Sequence, residues 1–170
     1  TKMVWVDTTS AVLTDTVKYN NLVVGNTYTV TTTLMDKSTG KVAATGEYAA
    51  TATTTFTAKE TSGSFDVSLT INPAVFADGA TLVFYESMAN GSTVIAKHED
   101  INDDAQAVHI MGIDTIATAD DLRSKTINVS ADAKIVDTMA YNNLVTGAKY
   151  YVHSWVMNKD TGKSIADLTT

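Results

Sequence analysis

Residues 97–110, KHEDINDDAQAVHI, gather two of the chain's three histidines, four carboxylates and a glutamine. An imidazole among carboxylates can hold a metal, move a proton, or decorate a polar turn. As a calcium loop the run from Asp100 fails. Ala105 stands where the sharp turn needs glycine, and Met111 stands where a bidentate glutamate should close the loop. Zinc needs three or four convergent ligands, and His98 and His109 fall on positions of opposite parity in different strands. No metal and no cofactor is expected. The bland alternative is acids and Asn102 solvating a loop beside an unconnected histidine.

Alternation argues against the bland alternative. Residues 11–19 read as a first strand and NNLVVGN as a turn. Tyr28, Val30, Thr32 and Leu34 share one face of a second strand that ends at Asp36. DKSTGK reads as a tight turn, followed by strands near 42–57 and 64–71, and NPAVFADG is the one stretch suited to a helical turn. Leu82, Phe84, Glu86 and Met88 share a face of a later strand. Val94, Ala96 and His98 line the next, after the ANGS turn, and Gln106, Val108 and Ile110 line the last. Asp36, Glu86, His98 and Gln106 thus fall on core-type faces, where burying each alone costs kilocalories. Together they could satisfy one another. A buried acid can stay protonated and donate a hydrogen bond, a histidine can take a hydroxyl proton, and a polarised carboxamide is an electrophile. The nucleophile would be a threonine, and Thr16 and Thr138 sit alike in DTVKYNNL and DTMAYNNL. Parity fits Thr16 poorly. It alternates with Thr14 and Lys18, while Leu13, Val17 and Tyr19 look like the core face, so a bulge or a sheet edge is required.

Composition bounds the class. The 170 residues are 44% apolar with formal charge −7, enough apolar surface for a core and no basic stripe for nucleic acid. No apolar run approaches the length of a membrane span, and the N-terminus has no signal-peptide pattern, though either could lie outside this segment. Cysteine is absent, removing disulfides and thiolate chemistry together. Abundant threonine favours strands. Asn90-Gly-Ser and Asn128-Val-Ser match the short glycosylation sequon.

The chain repeats itself. Residues 13–41 recur at 135–163 with an offset of 122, no gap and 15 of 29 identities. A tandem array follows, with residues 1–112 as one repeat truncated at its start and 113–170 as the front half of another. Thr1 aligns with Arg123, so the first repeat lacks counterparts of IDTIATADDL (113–122). Short strands at regular spacing without an ordinary helix predict an all-β, immunoglobulin-like antiparallel sandwich.

The motifs VDT-YNNL, LMDKSTGK, TFTAKETSG, LVFYES and HEDINDDAQ-V closely resemble the VaFE or T-Q ester-bond repeats of surface-anchored adhesins of Gram-positive bacteria, over residues 3–110 and again from 113. The resemblance implies a sandwich cross-linked by an ester between a first-strand threonine and a last-strand glutamine, matched here to Thr16 and Gln106. It also implies His98 as base and Glu86, with Asp36, as carbonyl-polarising acids. In the second repeat Asn158 replaces Asp36, which puts an ester there in doubt. The implied protein is a structural stalk module of an extracellular, cell-wall-anchored adhesin, self-reacting once rather than an enzyme. Its expected partners are neighbouring repeats, with no nucleic acid or membrane contact and any host ligand open. One rival is a ligand-binding domain of the same fold using Trp5 or Trp155. Another is a Lys18–Asn isopeptide domain with Glu86 as catalyst, disfavoured because Ala140 replaces Lys18. A hydrolase using Thr16 and His98 ranks last. The half-repeat, with Thr138 unesterified, is expected to be completed by another copy or by chain outside this sequence rather than by folding back on residues 1–112.

Overall fold

The computed structural model describes residues 2–4, 9–121, 123–128 and 130–169. Trp5 lies outside them. Thirteen strands form among the described residues: β1 (Lys2–Val4), β2 (Ala11–Tyr19), β3 (Thr27–Asp36), β4 (Lys41–Val42), β5 (Thr51–Thr57), β6 (Gly63–Ile71), β7 (Thr81–Asn90), β8 (Thr93–His98), β9 (Ala107–Ile110), β10 (Gly112–Ala119), β11 (Ile135–Asn142), β12 (His153–Met157) and β13 (Ser164–Thr169). Two single 3-10 turns, Pro73–Val75 and Asp104–Gln106, are the only helical pieces among the described residues. The fold is an immunoglobulin-like β-sandwich followed by the opening strands of a second repeat.

In the first repeat, β3 and β7 form the centre of a seven-stranded sheet. β4 and β5 pair with the outer edge of β3, and β8 and β9 share the outer edge of β7. β1 runs parallel to β9, the one parallel pair among the described residues. The facing layer is β2 paired with β6 in an unbroken register from Ala11↔Ile71 to Tyr19↔Gly63. Period-two alternation builds the core: Leu13, Leu69 and Ile71 from the small sheet meet Leu34, Leu82, Phe84, Val108 and Ile110 from the large one. Further along, Tyr19 and Phe65 pack on Tyr28, Phe56 and Met88.

Several expectations shift. The predicted strand over 42–57 breaks into β4 and β5, because the intervening loop needs a left-handed residue at Gly46 (φ 79°) and Thr45 spends its hydroxyl on the Tyr48 carbonyl. The face of Val94, Ala96 and His98 is exposed, since β8 is an edge strand that the two-stranded layer does not cover. Gln106 ends a 3-10 turn, and the last strand starts one residue later.

Candidate functional site

The acids of residues 99–106 hold the loop. Asp100 Oδ1 accepts the Asn102 N–H at 2.9 Å, and Asp103 Oδ1 accepts the Ala105 N–H at 2.8 Å, capping the turn that presents Gln106. The other Asp103 oxygen lies 2.9 Å from His98 Nε2. That contact places the ring proton on Nε2 and leaves the Nδ1 lone pair facing Gln106 Nε2, 3.2 Å away. Lys37 meets Asp104 at 3.5 Å on the rim. The loop is therefore a support for a histidine–carboxamide pair, with Asp103 orienting the ring.

Behind this pair runs one register row of the large sheet, Thr32↔Glu86↔His98. Thr32 and Glu86 are buried on the inner face, Glu86 at 7% exposure, and the Gln106 turn packs against β7. Gln106 Oε1 and Thr32 Oγ1 are buried without a hydrogen-bond partner among the described residues. A buried orphan carbonyl oxygen is costly, so this is where a donor would gain most.

The small sheet adds a residue that the sequence reading missed. Asp15, 6% exposed, is the other buried carboxylate among the described residues. Leu13 packs at the level of Leu34 and Phe84, and Tyr19 at the level of Tyr28 and Met88. Asp15 comes two residues after Leu13 on the same face, and Glu86 comes two residues after Phe84. The two carboxylates thus fall at one level of the sandwich on facing sheets. The parity of Asp15 with Leu13, Val17 and Tyr19 was the available signal.

Two candidates are not brought to the site. Thr16 stands on the solvent face of β2, and its hydroxyl donates to Asp66 Oδ1 at 2.7 Å. The unbroken β2–β6 register holds no bulge that could turn it inward. Thr16 is corrected to a cross-strand surface residue. Asp36 is corrected to a turn residue: its Oδ1 accepts both the N–H (2.8 Å) and the hydroxyl (2.7 Å) of Ser38. The Ser38 hydroxyl is the main cause holding its carboxyl below the ordinary value, so Asp36 is ionised rather than a proton donor. Asn158 makes the same turn in the second repeat, accepting from Asp160 N and Thr161 N.

The second repeat shows where a hydroxyl would come from. β10 pairs antiparallel with β11, whose residues 135–142 are the counterparts of 13–20. Thr115 lies opposite Met139, the counterpart of Val17, and opposed residues of an antiparallel pair share a face. With Asp137, the counterpart of Asp15, Thr115 lines an open apolar hollow with Ile113, Met139, Tyr141 and Trp155. In the first repeat the same register would lay a strand on the free edge of β2. β6 lies on the β5 side, where the Phe65 and Phe56 rings are 4.7 Å apart. The free edge of β2 therefore points toward β8 and Gln106. The threonine at that place is Thr115 of IDTIATADDL, a candidate visible only once the strand's partner is known. Thr138, the counterpart of Thr16, is exposed.

Among the described residues the half-repeat touches the first repeat through its Asn142-Asn143 turn and leaves much of its apolar surface open. β10–β11 and β12–β13 are separate pairs, and Tyr151, at 96%, and Tyr141 and Trp155 stay exposed.

A family model described as "T-Q ester bond containing domain" matches residues 2–110 and again 111–170. No curated protein matches. Among solved structures, a bacterial adhesin from Mobiluncus mulieris containing intramolecular disulfide, isopeptide and ester bond cross-links is similar in two crystal forms. The TM-scores are 0.53 and 0.52 at 14% and 15% identity, over 82% of this chain and 72% of that one. At that identity the likeness is one of fold.

Proposed function

We propose, for a chain that belongs to the T-Q ester bond containing domain family, that Gln106 is the acyl partner of an intramolecular ester, made once by the folded domain on itself. The observation that carries the reading is the Gln106 carboxamide, with its nitrogen on the His98 lone pair and its oxygen buried without a partner. A threonine hydroxyl from the strand on the free edge of β2 attacks the carboxamide carbon. His98 Nδ1 takes the hydroxyl proton, since an unassisted hydroxyl is a weak nucleophile. Protonated Glu86, with Asp15 facing it, donates to the oxygen as it gains charge. His98 returns its proton to the departing nitrogen, ammonia leaves, and an ester replaces an amide. Orientation by folding supplies an effective molarity of about 10⁵ M or more.

The module serves as a stalk segment of a bacterial surface adhesin of the Gram-positive, cell-wall-anchored kind. Tying first strand to last, the ester would carry load along the array. The uncovered face of residues 113–170 is the seat for later strands of its own repeat or a neighbouring copy. Exposed strand edges and apolar faces recruit such partners.

The test restores the missing register. Residues 1–122 placed ahead of the 170-residue chain continue the 122-residue period and put Thr115 of the upstream copy beside β2. After denaturation, the chain should weigh one ammonia less than its sequence. Thr115→Val in the upstream copy should restore the full mass, whereas Thr16→Ala should keep the bond. A folded, extended chain of unmodified mass would refute the reading.

A further inference from the structure

The two repeats meet without a linker. β9 ends at Ile110, β10 begins at Gly112, and Met111 between them is buried, its N–H bonded to the Val4 carbonyl at 2.9 Å. Into this junction projects the Asn142-Asn143 turn of the second repeat. Asn143 takes the left-handed conformation (φ 58°), which asparagine tolerates better than other non-glycine residues. Its carboxamide Nδ2 donates to two backbone carbonyls of the first repeat, Gly79 at 3.1 Å and Ile110 at 3.0 Å. The Asp78-Gly79 loop is closely packed on both sides. A Cβ on Gly79 (φ 80°) would lie 3.0 Å from the Asn142 Cβ, and one on Gly112 would lie 2.3 Å from the Asp78 Cβ.

The first repeat carries the same turn. Asn21 has φ 58°, Gly25 matches Gly147 in its left-handed φ, and the two turns share the same backbone-to-tyrosine bond. The Val23 N–H reaches the Tyr28 hydroxyl at 2.9 Å, as the Val145 N–H reaches that of Tyr150 at 2.8 Å. The surroundings differ. Asn143 is half-buried against the first repeat, while Asn20 and Asn21 are exposed and flanked by exposed Val23 and Val24.

We infer that the Asn-Asn turn is a docking key between repeats, and that Asn20-Asn21 with Val23 and Val24 forms the surface that seats a preceding repeat of the same kind. That partner offers an Asp-Gly turn and the end of its last strand, whose two carbonyls receive the Asn21 carboxamide as Gly79 and Ile110 receive Asn143. The backbone is already in the seated conformation, so docking orders little that is free. The array is then a stack with fixed angles between units rather than beads on a flexible string.

Spin labels test this directly, because the chain has no native cysteine. Thr53→Cys and Lys134→Cys carry labels across the existing junction. The 170-residue chain should give one narrow distance distribution, and Asn143→Gly, which keeps the backbone conformation but removes the carboxamide, should broaden it severalfold. Gly79→Ala, acting from the other side, should do the same. In the chain extended upstream by residues 1–122, the new junction should be equally narrow, and Asn21→Gly in the downstream copy should broaden that junction alone. A distribution as narrow in Asn143→Gly and Gly79→Ala as in the parent would overturn the key. A broad new junction with Asn21 intact would overturn the docking surface.

Discussion

The ester should be measurable as stability. In the chain extended upstream by residues 1–122, Thr115 of the upstream copy and Gln106 of the next are separated by 106 plus the 122-residue period less 115, or 113 residues. Closing a loop of that length removes about 5 kcal/mol of unfolded-state entropy on the chain-entropy model. The perturbation is Thr115→Val in the upstream copy, which keeps the shape of the strand and deletes only the hydroxyl. The assay is native-state hydrogen exchange of the slowest amides in β3 and β7, whose inner residues Leu34 and Phe84 are fully buried and whose exchange requires global opening of that repeat. At 1.36 kcal/mol per power of ten, protection should fall by roughly three to four powers of ten in the variant. Peptides from the upstream copy should change little. A loss of only a few-fold, in a chain shown by mass to carry the bond, would refute the argument that the cross-link spans nearly the whole repeat.

Other substitutions separate the roles at the site. In the extended chain, Glu86→Gln and Asp15→Asn should fold yet form the ester far more slowly. Removing a donor to a developing oxyanion costs about 10²–10³ in rate, and a time course of intact mass reads it. His98→Ala should be slowed by a factor of about 10²–10⁴, as for loss of a general base, and Asp103→Ala should slow it by less, since Asp103 acts only through the ring. Asp36→Asn should leave the yield unchanged, because Asn158 shows that the amide makes the same turn. Asp36 is depressed in the folded state, so its small stabilisation is present above the unfolded value near 3.8 and is lost as pH falls through the lower folded value. Chemical denaturation of the first repeat between pH 5 and 2 should show that component vanish in Asp36→Asn. Phe84→Ala, at a fully buried position, should destabilise the first repeat by about 3–5 kcal/mol by equilibrium unfolding.

What the sequence disclosed depended on whether a residue's neighbours lay in its own strand. The boundaries of β2 and the inner faces of β3 and β7 follow from alternation alone, and so does the burial of Glu86; His98 does not, because its strand is an exposed edge. Asp36 misled because it ends an apolar face. At a strand end nothing holds the side chain inward, and the following turn claims it. Thr16 has the motif but not the parity, and the unbroken β2–β6 register keeps it on the solvent face as its parity requires. Asp15 had the right parity beside it. Asp103 could not be told from the other loop acids, because capping a turn and orienting a histidine use the same residue type.

Thr115 was illegible for a different reason, and that reason bears on mechanics. Its proposed role depends on a strand pair seen only in the next repeat, directly after the junction. Were each repeat to carry the proposed ester, tension leaving one unit at Gln106 would re-enter a covalent bridge at Thr115. Only residues 107–114 lie between, including Met111 and Gly112 buried at the junction. That interval is mostly extended already, in β9 and the start of β10. A strand already rises about 3.2–3.4 Å per residue, and a chain spans at most about 3.3–3.6 Å per residue when fully drawn out, so the load path has almost no slack. Strands β2 to β8 would lie off that path: in the proposed reading they build the site that makes the bond and carry none of the force once it is made.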